Sequence, residues 1–513
     1  MKKQKLWLLL AAISLLAGVT ACSGQKGAEP AGSAAEEKEA EVGAETEAEG
    51  ETGSSGIVVD AAILVQGYEW GPGVPKIILE LDQEVSKVDA KNWTVVTADQ
   101  ERVVKDVYIC DESGEKTDTV SGHVAVEMET TYENPGSPFT YDKTVGMNKW
   151  KESYEISVEC TDFTIDEKTE AVTFSADCMD KIICPDTERF SERDSFTGSY
   201  KNPFTGTEEE LTLYYAAYEP ETLSEGEKNP LVIWLHGMGE GGNDPDIAIL
   251  GNEVSALTRE KIQSHFSAGD QTGAYVLVVQ TETYWMNEGD TNGGITGSGD
   301  SLYQEILMDT IQSYVKSNPD VDANRIYLGG CSNGGYMTMN MMIHYPDYFA
   351  AGYPCCEGYS YYACERNEDG TCKFTEDGAA IFGSERWLTE EKVNTIKDLP
   401  FWFISSIDDT MAVPQQYVLP SYQALIQAGA ENCWLSMFEN VKGTDDPDAS
   451  YIGHFSWVYL LNDQVTGVQD KEAVRNSEDS ELFGTTPSNE GGGTLKAGEY
   501  ANIFEWMNQQ SRQ

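Results

Sequence analysis

The chain has 513 residues and a formal net charge of −53, from 34 Lys and Arg against 87 Asp and Glu. So large an acidic excess argues against nucleic acid as a partner, while 40% hydrophobic residues give a globular rather than a disordered balance. The length allows two or three domains with sizeable cores.

The first residues carry an address. Lys2, Lys3 and Lys5 precede an apolar run over 6–16, and Val19-Thr20-Ala21-Cys22 comes next. That run is too short to span a bilayer and has the layout of a secretory signal. Its ending resembles a bacterial lipobox. The resemblance implies a signal over 1–22, lipidation at Cys22, and an extracytoplasmic protein held to the cell membrane by its anchor. Residues 23–56 are mainly Ser, Gly, Ala and Glu, the composition of a disordered acidic linker.

Residues 57–195 predict an all-β domain. Runs rich in β-branched and aromatic residues recur at 62–68, 76–81, 93–96, 103–110, 154–160 and 172–174, punctuated by Gly, Pro, Asn and Asp. Strands this short and this many suggest an immunoglobulin-like β-sandwich. Its single histidine, His123, belongs on a strand face or loop. As an expectation, this domain orients or partly covers the C-terminal domain, with a spacer or a carbohydrate-binding module as the alternative. Of the 11 cysteines, none forms a C-x-x-C pair, which disfavours a structural zinc site. Cys178 with Cys184, and Cys364 with Cys372, are near enough in sequence to be disulfide candidates, with buried free thiols as the alternative.

From 196 to 513 strands alternate with helices, which predicts a doubly wound, mostly parallel α/β sheet. The apolar run 231–235 reads as a strand buried on both faces. It enters His236-Gly237-Met238-Gly239-Glu240, a Gly-rich loop whose backbone can approach a substrate closely. The next strand covers 275–279. The loop after it, to residue 299, is long for such a connection, and Trp285 within it is a candidate substrate contact. A helical stripe over 301–316 comes after the loop.

Ile326-Tyr327-Leu328-Gly329-Gly330 is the next strand, and Gly330-Cys331-Ser332-Asn333-Gly334 fits the G-x-S-x-G turn of a nucleophile elbow, with a helix to His344 beyond. A serine hydroxyl needs a histidine to take its proton and an acid to hold that histidine. After Ser332 only His344 and His454 remain, and His344 lies about three turns along the elbow helix, out of reach. His454 is therefore the candidate base. For the acid, the strand 401–404 runs into Asp408-Asp409; Asp409 is favoured and Asp408 stays open. Residues 465–497 form a Gly- and acid-rich insertion with no readable role.

Together, Leu235-His236-Gly237-Met238-Gly239-Glu240, the stretch from Asn324 through Ser332 to Tyr336, Asp408-Asp409-Thr410 with Val413-Pro414, and Gly453-His454 resemble the α/β-hydrolase esterases of the prolyl-oligopeptidase-like superfamily. The likeness is to those secreted bacterial forms that carry an N-terminal immunoglobulin-like domain. It implies Ser332 as nucleophile, His454 as base and acid, Asp409 as orienter, and the Asn333 N–H with that of Met238 or Gly237 as oxyanion hole. It implies no metal or organic cofactor. The expected reaction is hydrolysis of a small-molecule or polysaccharide-linked ester, with a serine peptidase acting on short peptides as the alternative. A surface binding protein with an idle hydrolase domain is a third reading, disfavoured by the intact Ser, Asp and His set.

Overall fold

The computed structural model describes residues 53–220, 226–267, 269–290, 295–376 and 378–512. The expected signal 1–22 with Cys22, and the linker up to residue 52, lie outside the described residues. Gly53–Ser55 was expected in the linker, yet it pairs antiparallel with residues 173–175 of the first domain. Three small residues carry no periodic signal, and an open strand edge needs only backbone groups to recruit them.

The first domain is the expected sandwich, built from two five-stranded sheets. One contains Gly53–Ser55, Lys168–Asp177, Glu155–Ile165, Val88–Thr97 and Gln100–Arg102 in that spatial order. The other contains Ile182–Ile183, Val58–Tyr68, Gly71–Val85, Ser121–Met128 and Val104–Cys110. Ile63, Ile77 and Val124 of the second sheet meet Val158, Phe163 and Phe174 of the first in a shared core. Each such side chain contributes about 1.5–3 kcal/mol by leaving water. His123 lies half-buried on its strand. A hairpin, Phe139–Asp142 with Met147–Trp150, stands outside both sheets.

The second domain is organised on one eight-stranded sheet, with strands β1 (Glu192–Lys201), β2 (Glu208–Tyr218), β3 (Asn229–Leu235), β4 (Tyr275–Thr281), β5 (Val321–Cys331), β6 (Ala351–Cys355), β7 (Phe401–Ser406) and β8 (Cys433–Phe438). Their spatial order is β1-β2-β4-β3-β5-β6-β7-β8. β1 and β2 run antiparallel at one edge, and every pairing from β4 to β8 is parallel. The expected boundary at 196 therefore falls inside β1. Residues of β3 alternate between two cores, Leu231, Ile233 and Leu235 on one face and Val232 and Trp234 on the other. That two-sided burial is why the sequence shows an unbroken apolar run.

The helices that matter for the site are α1 (Pro245–Gly251), α2 (Gln304–Ser317), α3 (Asn333–His344) and α4 (Val418–Gln427). Among the described residues no helix is long and apolar enough to cross a membrane. The insertion 465–497 covers the sheet's edge. Gln469 N–H donates to the Leu435 carbonyl at 2.9 Å, and Met437 N–H to the Gly492 carbonyl at 2.8 Å, so β8 is not left as an open template. Of the two disulfide candidates, Cys364–Cys372 is bonded, whereas Cys178 and Cys184 are free buried thiols. Cys178 Sγ instead faces the Ala61 carbonyl at 3.6 Å, and the Cys184 carbonyl opens the short helix Pro185–Glu188.

Candidate active site

β5 ends at Cys331, and α3 begins at Asn333. Ser332 between them has φ 55° and ψ −111°, left-handed backbone for a residue with a side chain. Such a conformation costs about 1–3 kcal/mol and persists only where its surroundings hold it. Here the Ser332 N–H donates to the Cys355 carbonyl at 2.9 Å, and the Ser332 carbonyl accepts the Tyr336 N–H at 2.9 Å. Both flanking glycines are explained by one neighbour. A Cβ on Gly330 would lie 2.2 Å from the Leu235 carbonyl oxygen, and one on Gly334 would lie 1.9 Å from the same atom. The elbow is thus pressed against the end of β3, where the His236 loop begins.

His454 lies in a single turn, Gly453–Phe455, and is buried. Its Nδ1 is 2.8 Å from Asp409 Oδ2. Asp409 is 3% exposed, and its other oxygen accepts the Met411 and Ala412 N–H groups at 2.8 and 3.0 Å. With Nδ1–H donated to the carboxylate, Nε2 is the free acceptor of the ring. Asp408 does something else. It accepts the Ser406 hydroxyl, and its backbone abuts Gly453, where any Cβ would meet the Asp408 carbonyl carbon at 2.5 Å. Of the two neighbouring aspartates, Asp409 is therefore the one joined to His454. His344 closes α3 with its ring on the Asn340 carbonyl.

Ser332 and His454 line one cavity of about 240 Å³ with Gly237, Met238 and Glu240. No Ser332–His454 hydrogen bond is formed in this conformation; such bonds are often long without substrate and tighten when it binds. The loop after β3 carries two oxyanion candidates, the Gly237 and Met238 amides. The Gly237 amide lies beside the Glu240 carboxyl, whose pKa it lowers. The Gly237 carbonyl faces His236 Nδ1 at 2.5 Å, and His236 Nε2 accepts the Thr281 N–H at 3.1 Å, which fixes the tautomer with the proton on Nδ1. Burial lowers the His236 pKa to about 4, so the ring is neutral. In a trans peptide the N–H points opposite to the C=O. With the Gly237 carbonyl held towards His236, the Met238 N–H faces the other way, and Met238 lines the cavity. Met238 N–H and the amide opening α3 at Asn333 are thus the candidate donors.

Trp285 does not line that cavity. It is fully buried, packs 5.2 Å from the His236 ring and 6.2 Å from Tyr303, and its backbone N–H donates to Asn333 Oδ1. A loop tryptophan in a Gly-rich stretch reads as exposed, but this loop folds back under the elbow. Sequence reasoning also missed residues. Glu240 was noted without a role, yet burial pushes its carboxyl up to about 7 inside the cavity. Trp70, Tyr141 and Asn148 of the first domain line the same cavity, and no local signal marked them.

A strained serine between strand and helix, a buried Asp–His pair and an amide-lined loop over a mostly parallel sheet have the layout of an α/β-hydrolase fold. Comparison with known proteins agrees. Residues 60–171 match the esterase Ig-like N-terminal domain, and residues 303–439 match the prolyl oligopeptidase family. Dipeptidyl peptidase 8 of mouse and of human are each 26% identical over 145 residues, 27% of this chain and 14% of theirs. This chain therefore aligns with only a small part of those relatives. A thermostable esterase structure aligns with a TM-score of 0.59 at 18% identity, covering 88% of this chain and 99% of that one, which establishes the shared fold. Residues 60–171 are thus similar to an esterase-type Ig-like domain and residues 303–439 to the prolyl oligopeptidase family, on an α/β-hydrolase fold.

Proposed function

We propose that the chain hydrolyses carboxylic esters through an acyl-enzyme, with Ser332 as nucleophile, His454 as base and acid, and Asp409 as orienter. The observation that carries the reading is the 2.8 Å Asp409–His454 contact on the wall of the cavity that the strained Ser332 enters. Ser332 Oγ forms a bond to the ester carbonyl carbon while its proton passes to His454 Nε2. The carbonyl oxygen becomes an oxyanion beside the Met238 and Asn333 N–H groups, fixed donors aimed where the charge develops. The C–O bond to the alcohol then breaks, and His454 returns its proton to the leaving oxygen. Water, deprotonated by His454, attacks the acyl carbon and releases acid and Ser332.

Cavity size supports ester over peptide. About 240 Å³ lies below the usual range for a drug-sized ligand and suits a short acyl group. Its lining includes Met238, Met411, Ile452, Phe455 and Trp457 and contains neither Lys nor Arg, which favours a neutral, apolar acyl chain. The lipobox-like ending at Cys22 supports the further proposal of a membrane-tethered, extracytoplasmic enzyme acting on small-molecule or polysaccharide-linked esters. The test compares a short-chain aryl ester with a peptide anilide, using wild type and Ser332→Ala. Ester turnover lost in the variant, without anilide cleavage, is expected. Anilide cleavage would transfer the assignment to a peptidase, and undiminished ester turnover in Ser332→Ala would remove Ser332 from it.

A further inference from the structure

His454 comes after a stretch that has little to hold it. Residues 442–450 form a mostly exposed loop without helix or strand, closed only by a bridge between Val441 and Tyr451. Fixing each backbone residue costs about 1–2 kcal/mol of chain entropy, so a loop of this kind needs a partner to take one conformation.

The partner comes from the other domain. Glu69, at the turn between the strands Val58–Tyr68 and Gly71–Val85, is 1% exposed, and its carboxylate enters the loop. It accepts the Thr444 N–H at 2.7 Å, the Thr444 hydroxyl at 3.0 Å and the Tyr451 hydroxyl at 2.9 Å. It also accepts Asn462 Nδ2 at 2.5 Å, just beyond the helix Trp457–Leu461 that lies after His454. The carboxylate therefore holds chain on both flanks of His454. Contacts run in the other direction too: Asp445 accepts the Glu69 N–H at 3.1 Å, and Asp446 accepts the Tyr132 N–H at 3.0 Å. The Tyr451 ring lies 6.2 Å from Trp70 and 5.1 Å from Tyr132, both of the first domain, and 6.3 Å from Phe455, the residue after His454.

Burying a carboxylate is costly unless its oxygens are satisfied. Those of Glu69 are satisfied by loop donors only when the loop sits in this one place. The fit is close. A Cβ on Gly443 would lie 1.7 Å from Glu69 Oε2, so that glycine is the loop's contribution to the approach.

We propose that Glu69 is a positioning residue for the reaction, by which the N-terminal domain sets the place of His454 from outside the catalytic domain. The inference rests on the Ser332–His454 assignment above but not on the choice of ester over peptide. A test that separates these uses a small dialkyl fluorophosphate on the full-length chain. Ser332 Oγ bonds to phosphorus, the P–F bond breaks, fluoride leaves, and the serine proton goes to His454 Nε2, so the rate reads the base without requiring an acyl preference.

The rate constant and the labelled fraction are measured for wild type, Glu69→Gln and the milder Tyr451→Phe, alongside thermal unfolding. A misplacement of about 1 Å costs on the order of 10²-fold in rate. Glu69→Gln is expected to slow labelling by about that factor with the labelled fraction unchanged, and Tyr451→Phe by roughly tenfold, since it removes one charge-assisted hydrogen bond. A fallen labelled fraction at an unchanged rate constant would make Glu69 only a folding contact and overturn the proposal. Wild-type rates in both variants would overturn it as well. Absence of labelling in wild type would remove the Ser332–His454 assignment itself, a failure visible before any variant is made.

Discussion

Glu240 gives a quantitative consequence of the cavity. The residue is 7% exposed, and burial raises its carboxyl pKa from the ordinary 4.5 to about 7, against the lowering influence of the Gly237 N–H and of His454. A carboxyl whose folded pKa is raised binds its proton more tightly folded than unfolded. Stability from this group is therefore fully present below pH 4.5, is lost as pH rises, and is gone above about 7. At about 1.4 kcal/mol per pH unit across that interval, the loss is about 3 kcal/mol. Glu240→Gln keeps the shape but carries no titratable proton. Urea unfolding of both proteins at pH 4.5 and pH 8 should show the wild type losing about 3 kcal/mol more than the variant. Glu253 and Glu357, also raised to about 8 by burial, are present in both and cancel in the difference. Ester turnover provides a second readout. Ionised Glu240 places negative charge beside the developing oxyanion, so kcat/KM of the wild type should fall above about pH 7 and that of the variant should not. Equal pH dependence of stability in the two proteins would refute the buried, proton-holding carboxyl.

The triad and the elbow each give a further expected outcome. Asp409→Asn removes the carboxylate that sets the His454 tautomer and should lower kcat by on the order of 10³–10⁴-fold, whereas Asp408→Asn should cost less than about tenfold in steady-state ester assays. Gly334→Ala drives a Cβ to 1.9 Å of the Leu235 carbonyl, a contact between backbones that no rotamer relieves. It should destabilise the fold by about 3 kcal/mol in urea titrations, while Ala at Gly378, where a Cβ meets nothing within 4 Å, should cost less.

What the sequence made legible was local. The elbow announces itself because backbone strain at Ser332 and the press of β3 against Gly330 and Gly334 force glycines into fixed positions. β3 announces itself because both faces are dry. Elimination among few histidines left His454, whose contact with Asp409 the structure supplies. Trp285 misled because exposure was inferred from loop composition, although the Asn333 side chain draws that loop beneath the elbow. Cys178 and Cys184 misled because nearness along the chain says nothing about where two Cβ atoms point.

The residues that escaped notice share one property: their partners lie far away in sequence. Glu69 is an ordinary acid between two strands until Thr444, Tyr451 and Asn462 surround it. The hairpin Phe139–Asp142 with Met147–Trp150 acts likewise on the other half of the site. Trp150 Nε1 donates to Asp244 Oδ2 at 2.7 Å, and Gly146 and Asn148 lie against Met238 and Gly239. The first domain therefore touches both loops on which the proposed chemistry depends, the one that contains Met238 and the one that carries His454. Ile247 and Leu250 of α1 are buried in the first domain's own core, so the two units share apolar surface as well as polar contacts. An immunoglobulin-like sandwich used only as a spacer would have no reason to bury Glu69 or to place Tyr141 on the cavity wall. Cavity shape is for this reason a property of the domain pair, and on the proposed esterase reading changes in Tyr141 or Asn148 should alter KM among esters more than they alter kcat.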